Sequence, residues 1–219
     1  MSKKKARWRK LDNAAKLYSA ASNKKDTRVF RFYCELKEKV DSDVLQEALN
    51  QTIETFPTFL MVLRKGFFWH YLEPCNLRPI VKEEYKEPCS RLYIRDKKTL
   101  LFEVTYYKKR INFEVFHVLT DGTGATEFLK ELVKNYLYLA HKEEGLEQVA
   151  LLPEDMTVQD QEDDSFLKYY SKNQKRPKKR KLNAFQIRRK KKDGNHLHVH
   201  ESVVSVQAVL KRSRELGVS

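Results

Sequence analysis

The run Arg28-Val29-Phe30-Arg31-Phe32-Tyr33-Cys34-Glu35-Leu36 alternates with a period of two, the repeat of a strand with one buried face, and predicts a first β-strand. The period then changes. Leu45, Ala48, Leu49, Thr52, Ile53 and Phe56 recur at helical spacing, with Asp43 as the expected N-cap, Gln46 as its partner three residues on, and Pro57 as the stop. Residues 59–63 and 67–72 flank Arg64-Lys65-Gly66, whose glycine tolerates a positive φ. These two runs read as the arms of a hairpin, with Trp69 in the second arm. A Pro-bearing connection over 73–88 leads to three more strand-like runs, at 91–95, 99–107 and 111–117. A turn at Lys108-Lys109-Arg110 joins the last two.

Over 126–140, Phe128, Leu129, Leu132, Val133, Tyr136, Leu137 and Ala140 trace one face of a helix. Residues 141–171 turn acidic, with Glu154, Asp155, Asp160, Glu162, Asp163 and Asp164, and read as a long connection. Further on, 196–204 reads as a strand and 205–216 as a helix capped by Ser205 and stopped by Gly217. Strands and helices alternate without the regular spacing of βαβ units and without an internal repeat. The expected fold class is therefore α+β, a mixed sheet with helices packed on one face.

At 219 residues, 41% of them apolar, the chain suffices for one sizeable core or two small ones. No run of about 18 apolar residues occurs, and no apolar segment follows Met1-Ser2-Lys3-Lys4-Lys5, so neither a membrane span nor a signal peptide is expected and a cytoplasmic location is the default. Cys34, Cys75 and Cys89 are odd in number, far apart and without a CxxC pair, which argues against a disulfide framework or a structural zinc site.

The formal charge of +14 is concentrated in one place. Residues 1–171 hold 29 Lys and Arg against 27 Asp and Glu, a net of +2, whereas residues 172–219 hold 15 against 3, a net of +12. The excess lies between Lys172 and Lys192, where Pro177 and the stretch 182–187 break the basic run. Such blocks are commonly solvated loops and sometimes electrostatic docking sites. No aromatic interleaving or nucleic-acid-binding motif accompanies this one, so no nucleic-acid partner is expected.

Candidate chemistry gathers in Phe113-Glu114-Val115-Phe116-His117-Val118-Leu119-Thr120-Asp121-Gly122-Thr123-Gly124. An alternating strand ends on a lone histidine, and Asp121-Gly122 stands at the mouth of the next helix. A histidine where the backbone turns can have one ring nitrogen fixed locally while the other faces a cavity, the geometry of a general base. On the residues alone, His117 reads equally as a half-buried strand-end histidine and Asp121 as a helix-entry residue. His196, His198 and His200 alternate on one strand face, but with no carboxylate or cysteine at ligand spacing no metal site is expected. His70 and His141 read as surface or hairpin residues. Tyr106, Tyr107, Tyr136 and Tyr138 read as amphipathic core residues whose hydroxyls reach a partner, and Asp163-Asp164 as part of a solvated loop. No serine nucleophile elbow, phosphate-binding glycine loop or Rossmann fingerprint is present.

With His117-Val118-Leu119-Thr120-Asp121-Gly122 in view, the chain resembles the chloramphenicol acetyltransferase-like superfamily, whose signature is HxxxDG at a strand end and which includes the condensation domains of peptide synthetases. Within it, Leu11-Asp12-Asn13-Ala14-Ala15-Lys16, Phe68-Trp69-His70-Tyr71-Leu72, Gly124-Ala125 and Phe128-Leu129 are most similar to bacterial alcohol acetyltransferase-type proteins. The resemblance covers essentially the whole chain but about half of a family member. It implies a single lobe of a two-lobed α/β sandwich. Residues 1–171 would form the N-terminal acyltransferase-like lobe. Residues 172–219 would form a basic loop, strand and helix crossing toward a second lobe, so that the chain reads as a fragment or a natural truncation.

The resemblance further implies an O-acyltransferase that moves an acyl group, acetyl as the expected one, from acyl-CoA to a small alcohol or other hydroxylated acceptor. Acyl-CoA would be a co-substrate, with no permanently bound cofactor. His117 would be the general base, Asp121 a structural residue that holds the loop, and Gly122 a position left small for the substrate channel. Position 116 is Phe, so the doubled histidine of peptide-forming condensation domains is missing, which favours acyl-CoA transfer. The reading it competes with is a non-catalytic module that docks on an anionic partner through the basic 172–192 loop.

Overall fold

The computed structural model describes residues 8–95, 97–144 and 199–218. They fall into two units, one holding the described residues up to Glu144 and the other residues 199–218. The expected boundary at 171–172, the basic 172–192 loop, Asp163-Asp164, His196 and His198 lie outside the described residues.

The first unit is α+β, as expected. Its elements are β1 (Arg9–Lys10), α1 (Asn13–Ala21), β2 (Val29–Glu35), α2 (Ser42–Thr55), β3 (Met61–Lys65), β4 (His70–Pro74), β5 (Lys82–Glu83), β6 (Phe102–Tyr107), β7 (Arg110–Phe116) and α3 (Gly122–Ala140). One sheet has the order β2-β7-β6-β5, antiparallel except for the parallel β5–β6 pair, and is thus mixed. A smaller antiparallel sheet has the order β1-β4-β3. Strand β7 is interior, and Ile111 through Phe116 are all buried, which is how a strand covered on both faces departs from simple alternation.

The core lies between this sheet and the helices. Phe128 of α3 stacks on Phe113 of β7 at 4.7 Å and on Phe59 at 4.4 Å. Each fully buried ring of this kind is worth about 1.5–3 kcal/mol relative to exposure. The opposite sheet face is covered by the segment after β5. Arg31 of β2 bonds Glu114 of β7 at 2.8 Å and Glu84 at 2.6 Å, and the Cys89 amide donates to Glu114 Oε1 at 2.6 Å.

Several local expectations are corrected. Asp41, not Asp43, caps α2, accepting from the Asp43 and Val44 amides, because its own backbone is extended while Asp43 is already helical. Gln46 turns away from the cap to bond Pro79 O and the Val81 amide. Gly66 does not use a positive φ. It is confined instead by close approach, its amide donating to Trp69 O at 2.7 Å while a Cβ there would fall 2.9 Å from the same oxygen. Trp69 consequently sits in the turn and β4 begins at His70.

Residues 91–95 form no strand. Tyr93 packs flat on Phe116 at 6.0 Å without a backbone ladder. Residues 199–204, the described part of the expected last strand, are not strand either. Tyr136 is buried with its hydroxyl accepting from the Asp41 amide at 2.9 Å, whereas Tyr107 is exposed.

In the second unit, α4 (Val206–Glu215) is capped by Ser205 and ends at Gly217 with φ of 63°, as its sequence predicts. Among the described residues no helix is long and apolar enough to cross a membrane.

Candidate functional site

Strand β7 ends at Phe116, whose amide donates to Leu101 O at 2.8 Å, and His117 is the first residue of the turn that follows. The His117 amide donates to Arg28 O at 3.0 Å and the Leu119 amide closes back on Phe116 O at 2.8 Å, so the backbone on both sides of the histidine is held. Arg9 Nη2 donates to Leu119 O at 3.3 Å and ties β1 to the same turn. Arg28 adopts φ of 55°, a conformation L-residues seldom take. It is supported by its ion pair with Asp26 at 3.0 Å and by the Thr27 hydroxyl, which donates to Cys89 O at 2.7 Å.

The imidazole is clamped between two rings. Tyr18 of α1 lies face to face with it at 4.3 Å and 13°, and Phe30 of β2 packs at 4.2 Å and 40°. The residue stays half-buried. Of its two ring nitrogens, Nδ1 is sealed from solvent and meets no hydrogen-bond partner in good geometry among the described residues, while the Thr120 main chain lies close enough to act on the ring. Burial pushes the His117 pKa below its ordinary 6.5, and the Arg28 guanidinium lowers it further. The Thr120 main chain and the Asp121 carboxylate act in the opposite direction. The ring is therefore neutral at neutral pH, the form that accepts a proton.

Asp121 is the N-cap of α3. Its Oδ1 accepts from the Gly124 amide at 2.9 Å and its carbonyl from the Ala125 amide at 3.1 Å. The helix thereby starts at Gly122, four residues earlier than its apolar stripe indicates, because the cap draws both glycines into the first turn. The two glycines differ. A Cβ on Gly122 would meet nothing within 4 Å, whereas one on Gly124 would fall 2.2 Å from Thr120 Oγ1. Gly122 borders open space, and Gly124 permits the close packing of the His117–Asp121 turn.

Tyr18, Phe30 and Arg28 were not singled out by sequence reasoning. Only the neighbouring Leu11-Asp12-Asn13-Ala14-Ala15-Lys16 segment pointed toward α1. The helix buries a single residue, Ala15, and so has no apolar stripe to announce it. Among the described residues no group of three or more His, Cys, Asp or Glu converges on a metal position.

No protein-family model and no curated protein matches the sequence. Solved structures do match. The starter condensation domain of rhizomide synthetase RzmA aligns at 13% identity and a TM-score of 0.52, over 66% of this chain and 40% of that one. A variant of that domain with one arginine replaced by alanine, in complex with C8-CoA, aligns at 14% identity and 0.53, over 66% and 38%. The first condensation domain of the calcium-dependent antibiotic synthetase in complex with a substrate analogue aligns at 14% and 0.51, over 66% and 42%. The chain has the chloramphenicol acetyltransferase-like fold of condensation domains, and the match spans about two-fifths of their length.

Proposed function

We propose that this chain provides the histidine-bearing lobe of an acyl-CoA-dependent O-acyltransferase, with His117 as general base. The observation that carries the reading is the state of that imidazole: half-buried at the end of β7, fixed between Tyr18 and Phe30, and held below its ordinary pKa. The fold shared with condensation domains, one of them bound to C8-CoA, supports it.

In this reading the acceptor hydroxyl gives its proton to the available imidazole nitrogen, Nε2, as its oxygen forms a bond to the thioester carbonyl carbon. The tetrahedral adduct then collapses, the carbon–sulfur bond breaks, and the proton passes from the imidazolium to the departing CoA thiolate. The products are an ester and free CoA. A positioned base of this kind contributes about 10²- to 10⁴-fold. Asp121 works through the backbone, starting α3 where it keeps the turn in place, and Gly122 leaves room beside it. Acyl-CoA is the co-substrate, acetyl the expected acyl group, and a small alcohol the acceptor.

The channel wall facing His117 would come from a second lobe of the same fold. The 219-residue chain alone should then turn over little or nothing. The test is release of free thiol from acetyl-CoA across a panel of alcohols, by the protein with both lobes and by its His117→Ala variant. A loss of about 10²-fold or more is expected; equal rates would overturn the assignment.

A further inference from the structure

The turn between β3 and β4 presents three consecutive aromatic side chains to solvent: Phe67 is 91% exposed, Phe68 82% and Trp69 61%. A tight hairpin turn normally carries small polar residues. Here Phe67 and Phe68 meet edge to face at 4.7 Å and Phe68 lies 6.4 Å from Trp69, so the rings form one apolar cap on a convex apex. Lone exposed apolar residues are ordinary, but a contiguous aromatic patch marks an interaction site. Trp8, also exposed, lies edge-on to Tyr71 further along the same sheet.

Positive charge stands one step behind the apex. Lys65 is in register with His70, and Tyr71 faces Arg64 on one side and Lys10 of β1 on the other. Arg95 and Lys65 both bear on the His70 imidazole. The hairpin's single carboxylate, Glu73, is engaged by Arg64 at 3.0 Å.

We propose that this hairpin tip docks on a membrane surface rich in anionic phospholipid, with Phe67, Phe68 and Trp69 seated among the headgroups and Lys65 and Lys10 against the phosphates. Aromatic rings favour the bilayer interface, and cations just outside it gain from the negative surface potential. The order of the two along the hairpin, aromatic first and basic behind, suits entry from the apex. Single-stranded nucleic acid instead needs a basic groove with flat stacking faces. Phe67 and Phe68 stand at 77° to each other on a protrusion. The inference does not depend on the acyl-transfer reading.

Trp69 reports on the test directly, because the chain has two tryptophans and Trp8→Phe leaves only this one. Phosphatidylcholine vesicles with and without phosphatidylserine are titrated into the Trp8→Phe protein. A blue shift of Trp69 emission is expected with phosphatidylserine vesicles, weakening as salt rises. In sedimentation of the Trp8-bearing protein, Phe67→Ser/Phe68→Ser/Trp69→Ser should cut vesicle binding about tenfold or more, Lys65→Glu should reduce the phosphatidylserine dependence, and His117→Ala should change neither. Because the substituted rings are exposed, an unchanged melting temperature confirms that the variants fold. Vesicle binding that survives the triple substitution would assign it to the basic 172–192 stretch. A Trp69 shift produced by RNA or by raised protein concentration, and not by vesicles, would assign the tip to nucleic acid or a second copy. Each of these outcomes overturns the proposal, as does no vesicle binding at all.

Discussion

The phenol ring of Tyr18 lies flat on the imidazole of His117, centroids 4.3 Å apart and planes within 13°. Helix α1 thus supplies one wall of the cage that Phe30 closes from the sheet side at 4.2 Å. Stacked pairs of this kind add about 0.5–1.5 kcal/mol beyond the area they bury. Here the stacking also removes water from the ring that titrates. Tyr18→Ala should therefore raise the His117 pKa toward 6.5 by readmitting water, while Tyr18→Phe, which keeps the stack, should leave it in place. An NMR titration of the His117 ring protons in the two variants and the parent measures the difference; identical curves for alanine and parent would show that Tyr18 does not desolvate the ring.

The same depressed pKa sets a pH dependence. The unfolded chain binds a proton at this histidine near pH 6.5, and the folded protein only at lower pH. Between the two values the unfolded state carries more protons, so the contribution to stability is complete above about pH 6.5 and is lost as pH falls through that window. If His117 is the base, the acid limb of kcat/KM should also lie below pH 6.5. A limb at or above that value would contradict the assignment.

Asp121 acts on α3 through one side-chain bond to the Gly124 amide. Asp121→Ala should cost about 0.5–2 kcal/mol in urea unfolding, and Asp121→Ser or Asp121→Asn should recover most of it, since either can cap. A large activity loss in Asp121→Asn with stability intact would point instead to a direct electrostatic role for the carboxylate.

Gly122 and Gly124 should respond differently to the same added methyl. Gly122→Ala meets open space and should be tolerated by the fold. Gly124→Ala drives a Cβ into Thr120 Oγ1 and should cost about 1–3 kcal/mol unless that hydroxyl swings away. Thr120→Ala in the same molecule should relieve the cost, a non-additivity that a double-mutant cycle reads.

Arg31 and Glu114 cross the sheet face away from the helices, and the Glu114 side chain is only 3% exposed. Arg31→Met removes the guanidinium from that carboxylate, leaving it the Cys89 amide and the more distant charge of Lys86 among the described residues, and should destabilise the fold by about 3–5 kcal/mol. Arg31→Met combined with Glu114→Leu should regain much of this, because the burial penalty leaves with the charge. Equal unfolding midpoints for the single and double variants would refute that explanation.

Much of the strand and helix plan was legible because it is local. Period-two runs marked β2, β6 and β7, a helical stripe marked α2 and α3, and Ser205 and Gly217 marked both ends of α4. Where competing residues stood close together, the pattern misplaced boundaries. Asp41 and Asp43 are both good caps, and backbone conformation chose between them. Elements with no apolar stripe, such as α1, β1 and the charged β5, were invisible because what holds them is a partner strand or a ring from elsewhere in the chain.

The site divides along the same line. That a histidine would end a strand and an aspartate open the next helix is written in the order of residues 113–124, since strand alternation and capping act over a few neighbours. The character of that histidine comes from distant segments. Tyr18 and Phe30 remove water from its faces and the Arg28 guanidinium adds its charge, which together lower its pKa, while the Arg28 carbonyl holds its amide. Desolvation depends on which surfaces meet in three dimensions, and no local pattern in the chain encodes that meeting.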